Sequence, residues 1–129
     1  MANFRKLEVW QSAHRLTVDL YRDTRRFPRD EQFGLTGQIR RAAVSIGANV
    51  AEGSNQSSAA FARYIGLAIG SANELEYLLQ LAVELDFTGD VALIDRAAHL
   101  GSMLQRLRSY LVGRGRARSA KNRKAGDED

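Results

Sequence analysis

The side chains best suited to chemistry in this sequence are basic, and the chemistry they suit is phosphate binding. Arg22, Arg25, Arg26 and Arg29 cluster early in the chain, and Arg40-Arg41 follow. Arg114, Arg116, Arg118, Lys121, Arg123 and Lys124 crowd its last stretch. Guanidinium and ammonium groups displace counterions from nucleic-acid phosphates, which gives affinity without sequence readout. Arg22 to Arg29 and Arg114 to Lys124 are therefore the candidate nucleic-acid-binding residues. The late group has no aromatic residue for base stacking, and Asp127-Glu128-Asp129 opposes binding slightly.

Other chemistries find little support. Cysteine is absent, so disulfides, thiolate metal sites and cysteine nucleophiles are excluded. Helical bundles bind paired metals through Glu-x-x-His, but Gln11 and Arg96 stand three residues before His14 and His99. Neither a Gly-x-Ser-x-Gly elbow nor a Gly-x-x-x-x-Gly-Lys phosphate loop occurs. Glu52 and Glu74 lie beside apolar stripes and read as structural carboxylates. No catalytic residue, metal or cofactor is assigned, and an enzyme is not expected.

The chain has 129 residues, 44% of them hydrophobic and 26% charged, with a net charge of +4. That is the size of one globular domain with one core. The charge is uneven. Residues 1–41 carry net +4, residues 42–113 net −3, and residues 114–129 net +3. No apolar run approaches the ~18 residues of a membrane span. Met1 to Lys6 lack the apolar core of a secretory signal. The cytoplasm is the expected location, with no membrane partner.

Four helical segments must position these groups. The first, about Arg5 to Arg26, places Leu7, Trp10, Ala13, Leu16, Thr17, Leu20, Tyr21, Thr24 and Phe27 at helical spacing. Phe27-Pro28 ends it, because the residue before proline is pushed out of the α region. The second, about Glu31 to Gly53, is capped by Asp30 and carries Leu35, Ile39, Ala42, Ile46, Val50 and Gly53 inward. Gly53 reads as its stop, since glycine accepts positive φ.

Ser57 or Ser58 caps the third segment, about Ser58 to Leu85. Phe61, Ile65, Ala68, Ala72, Leu75, Leu79 and Ala82 form its stripe, and a second stripe includes Tyr64, Leu67, Leu78, Leu81 and Leu85. A face that wide sits centrally in a bundle or meets another subunit. The fourth segment, about Asp90 to Val112, turns Val91, Ile94, Ala97, Ala98, Gly101, Leu104, Leu107 and Leu111 inward.

Short connectors favour antiparallel neighbours, so the expected fold is all-α: an antiparallel up-down-up-down four-helix bundle over 1–113. The segment 114–129 lacks apolar periodicity and is expected to be a disordered basic tail. Small residues recur every four positions, among them Gly66 and Gly70, and predict close helix packing or a subunit contact. Antiparallel pairing also predicts ion pairs from Arg40 or Arg41 to Glu74 or Glu76.

One long run has a distinctive order: Phe27-Pro28, Glu31, Phe33-Gly34-Leu35, Gln38, Arg40-Arg41-Ala42-Ala43, Ser45-Ile46, Asn49 and Ala51-Glu52-Gly53. With Leu7, Val9-Trp10-Gln11, Ala68, Gly70-Ser71, Glu74-Leu75-Glu76 and Leu79, it resembles the four-helix-bundle family also called ribosomal RNA intervening-sequence proteins. The resemblance spans about residues 4–111. It implies a bundle that assembles into a homopentameric, barrel-like ring without catalytic residues. A related accessory protein of diversity-generating retroelements implies possible RNA or DNA and a protein partner such as a reverse transcriptase. Arg40, Arg41, Asn49, Glu52, Gly66, Gly70, Glu74 and Glu76 are then structural or interface residues. Gly47 stands where the family usually has proline, and the neutral run Ser54 to Ser58 where it often has basic residues.

Overall fold

The computed structural model describes residues 3–127. Four helices carry the fold: α1 (Glu8–Asp23), α2 (Leu35–Gly53), α3 (Ser58–Glu84) and α4 (Ala92–Asp127). Short 3₁₀ turns at Phe4–Lys6, Thr24–Arg26 and Arg29–Glu31 flank α1 and lead into α2. Each helix packs against the next, and α1 meets α4 to close the bundle. Asp19 bonds Arg96 across α1 and α4, Ser45 bonds Ser71 across α2 and α3, and Gly101 faces Ala72 across α3 and α4. All three pairings are antiparallel, so the up-down-up-down bundle stands as expected.

The core follows the 3.6-residue period closely on α2 and α3. The α2 stripe from Leu35 to Gly53 and the first α3 stripe from Phe61 to Ala82 are buried throughout, but of the second α3 stripe only Leu78 is buried, and Leu67 and Leu85 are exposed. On α1, Val9, Ala13, Leu16 and Leu20 are buried, while Trp10 sits at the edge and Tyr21 is exposed. On α4 the face is rotated from the expected one. Ala97, Leu104 and Leu111 are buried as expected, but Leu93 and Leu100, each 2% exposed, join them, whereas Val91 is 58% exposed.

The caps show why the helices start and stop where they do. Glu31, not Asp30, serves α2: its carboxylate accepts a hydrogen bond from the Leu35 N–H at 3.0 Å. Its extra methylene reaches past Gly34, the residue that precedes the helix. Ser57 caps α3 by accepting from Ala60 N–H at 3.2 Å. The chain leaves α3 through Asp86 at φ 61, with Phe87 N–H bonded to Ala82 carbonyl and Asp86 N–H to Val83 carbonyl. That is a Schellman exit with aspartate in the left-handed position.

Gly53 is not a positive-φ stop. It is a point of close approach. A Cβ there would lie 2.6 Å from Tyr64 Cβ and 2.8 Å from Phe61 Cδ1. Glycine lets the end of α2 touch the beginning of α3 directly.

The expected disordered tail is corrected over 114–127, which continues α4 as helix. The segment is rich in Arg, Ala and Lys, which are strong helix formers, and it contains no proline. Gly101 against Ala72 sets α3's first residues opposite about residue 115 of α4. Roughly 18 Å of helix therefore extends past the bundle at 1.5 Å per residue. Periodicity missed this helix because an unpacked helix has no apolar face to reveal it.

Candidate nucleic-acid interface

The two arginine groups sit at opposite ends of the bundle, separated by the length of α3, about 40 Å for its 27 residues. Arg22, Arg25, Arg26 and Arg29 surround the corner between α1 and α2. Arg114 to Lys124 lie on the extension of α4.

A groove of about 510 Å³ runs along α4 where the extension leaves the bundle. Four arginines line it: Arg63 from α3, and Arg108, Arg116 and Arg123 from α4. Its floor is Ala59, Ala62, Leu111 and Val112, and among the described residues no carboxylate lines it. Arg108 crosses over α3 at Gly66, where a Cβ would stand 3.6 Å from its Nε. The only ion pair among the described residues is Arg96 with Asp19 at 2.8 Å, elsewhere on the molecule. The groove thus concentrates like charge above an apolar floor, an arrangement matched by a polyanion.

The helical period divides the remaining basic residues. Arg114, Arg118 and Lys121 fall on the side of α4 away from the groove, with Tyr110. Tyr110 is 60% exposed, and its hydroxyl accepts from Arg114 Nη1 at 3.1 Å. Lys124 is exposed on the same extension. Arg63 carries no signal in the sequence because it is the one basic residue of α3, and Arg108, with Arg106 beside it, lies outside the two clusters that the sequence singles out. Antiparallel pairing about the α3–α4 connector would have found them, since it sets Arg63 opposite about residue 110.

The expected structural residues divide as well. Arg40 makes no ion pair with α3. Its Nε donates to Thr24 Oγ1 at 2.9 Å and its Nη2 to the Tyr21 carbonyl at 3.2 Å, tying α2 to the end of α1. Arg41 and Glu74 border one shallow cavity with Ser45 and Ser71, but no ion pair joins Arg41 to Glu74 or Glu76 among the described residues. The α2–α3 register does not separate them: Ser45 bonds Ser71 at 2.9 Å, which sets Arg41 opposite about residue 75. The Arg41 guanidinium instead turns back over Gly37, where a Cβ would stand 3.1 Å from its Nη1. Glu76 is half-buried. Asn49 Nδ2 donates to the Ser45 carbonyl at 2.8 Å, and Glu52 accepts a long bond from Tyr64 OH at 3.4 Å.

Gly66 and Gly70 make no close backbone contact within the bundle. A Cβ at Gly70 would meet nothing within 4 Å. Leu67 and Tyr77, on the same outward strip of α3, are 61% and 62% exposed. His14 stacks on Trp10 at 4.8 Å, and His99 is exposed beside Arg15 and Arg96. Among the described residues no helix is long and apolar enough to cross a membrane.

Fold and surface together define an all-α antiparallel four-helix bundle with a basic helical extension. The chain belongs to the 23S rRNA-intervening sequence protein family, whose model matches residues 5–107. A crystal structure of a protein of unknown function from the S23 ribosomal protein family of Bacteroides thetaiotaomicron VPI-5482 is similar, with a TM-score of 0.70 at 24% identity. The match covers 78% of this chain and 95% of that one. No curated protein matches this sequence. Arg63 lies within the family match, whereas Arg108, Arg116 and Arg123 lie beyond it.

Proposed function

We propose that this protein is a non-enzymatic, homo-oligomeric helical bundle that holds RNA or DNA by charge. The groove carries the reading: four guanidinium groups converge on it, and among the described residues no carboxylate lines it. In this reading a strand lays phosphates on Arg63, Arg108, Arg116 and Arg123. Arg114, Arg118, Lys121 and Lys124 extend the field along α4. Assembly as a ring, a pentamer by the family resemblance, draws support from the outward strip of Leu67, Gly70 and Tyr77 on α3. Five copies would raise the charge from +4 per chain to about +20, and avidity would follow. The setting proposed is the cytoplasm, where a cysteine-free chain is at no disadvantage.

The deciding experiment measures RNA and DNA binding against salt for residues 1–129 and 1–113. Binding should weaken steeply, with a log–log slope of about −0.9 per phosphate on duplex DNA. Truncation should remove most of that slope, and Arg108→Ala about one phosphate's share. Absence of binding at low salt overturns the reading. Light scattering should give an assembly of several 14.3 kDa chains. Gly70→Leu should reduce its mass while leaving the isolated bundle folded; a wild-type monomer at micromolar concentration removes the ring.

A second reading has its own support in the exposed Leu67 and Tyr77: a protein scaffold whose partner, such as a reverse transcriptase, covers that face. A partner retained after nuclease treatment, combined with no nucleic-acid binding by the pure protein, would establish it.

A further inference from the structure

The corner between α1 and α2 encloses a small pocket of about 160 Å³. It lies at the end of the bundle opposite the groove and does not depend on it. Arg25, Arg29 and Arg40 line it, together with Gln32, Thr24 and Thr36, and Phe27 and Pro28 complete the wall. Asp23, Asp30 and Glu31 belong to the same corner, and Asp23 Oδ2 is buried without a hydrogen-bond partner, but among the described residues no carboxylate lines the pocket. Glu31 is occupied as the acceptor for Leu35 N–H at 3.0 Å.

Two features mark this pocket as prepared for a ligand. Arg40 is held in place by its bonds to Thr24 Oγ1 and the Tyr21 carbonyl, and its guanidinium lies 4.7 Å from the Tyr21 ring centroid. Those bonds use two of its five N–H donors and leave the others uncommitted among the described residues. Thr36 is 4% exposed, and its Oγ1 has no hydrogen-bond partner among the described residues. A buried hydroxyl is ordinarily paired. Thr36 is among the residues that line a pocket whose charged lining groups are all donors.

The Thr36 hydroxyl can donate to an acceptor, and the three lining arginines favour an anionic one. A water occupies about 30 Å³ of liquid, so the pocket has room for one tetrahedral oxyanion with a few waters, and not for a nucleoside. We infer that this corner binds a single phosphate group, with Arg25, Arg29 and Arg40 balancing its charge and the Thr36 hydroxyl donating to it. Free inorganic phosphate and the terminal phosphate of a strand present the same chemistry.

The test is a titration of the full-length protein with inorganic phosphate, followed by amide and arginine Nε chemical shifts, with chloride at matched ionic strength as control. Saturable shifts at Thr36, Gln32 and the Arg40 Nε are expected. Thr36→Val keeps the shape and removes the hydroxyl. Arg29→Gln changes an exposed residue. Each should weaken phosphate binding about tenfold, and the same spectra report whether the fold is intact. Shifts that rise linearly without saturation, or that chloride reproduces, overturn the inference. So does affinity unchanged in both variants.

Oligonucleotides with a 5′-phosphate or a 5′-hydroxyl then separate the two sources. Displacement of inorganic phosphate by the phosphorylated form alone identifies a strand end. Displacement by neither supports free phosphate. The phosphate titration stands even if no nucleic acid binds the groove, so the two readings fail separately.

Discussion

At the end of the bundle where α1 meets α2, arginines are built into the fold; at the other end they project from it. Arg40 is anchored to Thr24 and Tyr21, and Arg25 and Arg29 join it around a small pocket. Phe27 packs 5.7 Å from Phe87, so the corner is also buttressed by the α3–α4 connector. Arg116 and Arg123 instead ride on an exposed single helix that α3 no longer supports beyond about residue 115. The same residue type thus has two physical roles. A guanidinium whose donors are partly used by the protein shapes a site for a small ligand. One left in water contributes charge that acts over a Debye length.

The contrast predicts unequal responses to mutation. The largest effect is expected from Leu20→Ala, next to the corner. Leu20 is fully buried and its carbonyl accepts from Thr24 Oγ1 at 2.7 Å. A cavity there should cost about 2–5 kcal/mol in urea unfolding. A loss below about 1 kcal/mol would mean that the corner can collapse around the gap.

Arg40→Ala should come next, at about 1–3 kcal/mol, because it removes two hydrogen bonds from a charged donor and frees the end of α1. Arg40→Lys should recover only part of this, since one ammonium cannot reproduce the fork. Full recovery would show that charge alone anchors the corner. Breaking the exposed pair with Asp19→Asn should matter less, at about 0–1 kcal/mol and less in high salt.

The smallest effect on stability is expected from removing residues 114–129. The extension buries little, so the unfolding midpoint should move by no more than about 0.5 kcal/mol equivalent, as for other surface changes. A larger loss would show that Gly115, Ser119 and their neighbours brace the start of α3, and the two ends would no longer differ in kind.

Much of the fold is legible in the amino-acid sequence. The inward faces of α2 and of the first α3 stripe follow from spacing alone, whereas spacing does not tell that Leu67 and Leu85 of the second α3 stripe stay exposed. Nor does the α4 face follow from spacing, since Leu93 and Leu100 compete with Ile94, Ala98 and Gly101 for the inward side. The candidate site is only half legible. Its α4 arginines are clustered in sequence, but Arg63 arrives from a helix whose neighbours are neutral or acidic. Glycine is ambiguous too. Gly53 and Gly70 look alike in sequence, yet one is pressed against Phe61 and Tyr64 and the other faces open space.

By itself the sequence determined the four helices of the bundle as far as about residue 112, their antiparallel order and where the basic residues cluster. Those properties depend on local periodicity, capping and composition, which a chain carries within a few turns. Tertiary structure alone decided which arginines meet. Helix register, set by contacts such as Ser45 with Ser71 and Ala72 with Gly101, brings Arg63 to Arg108 and holds Arg40 to Thr24. A shift of one turn moves a side chain about 5.4 Å along the helix, enough to join or separate two guanidinium groups.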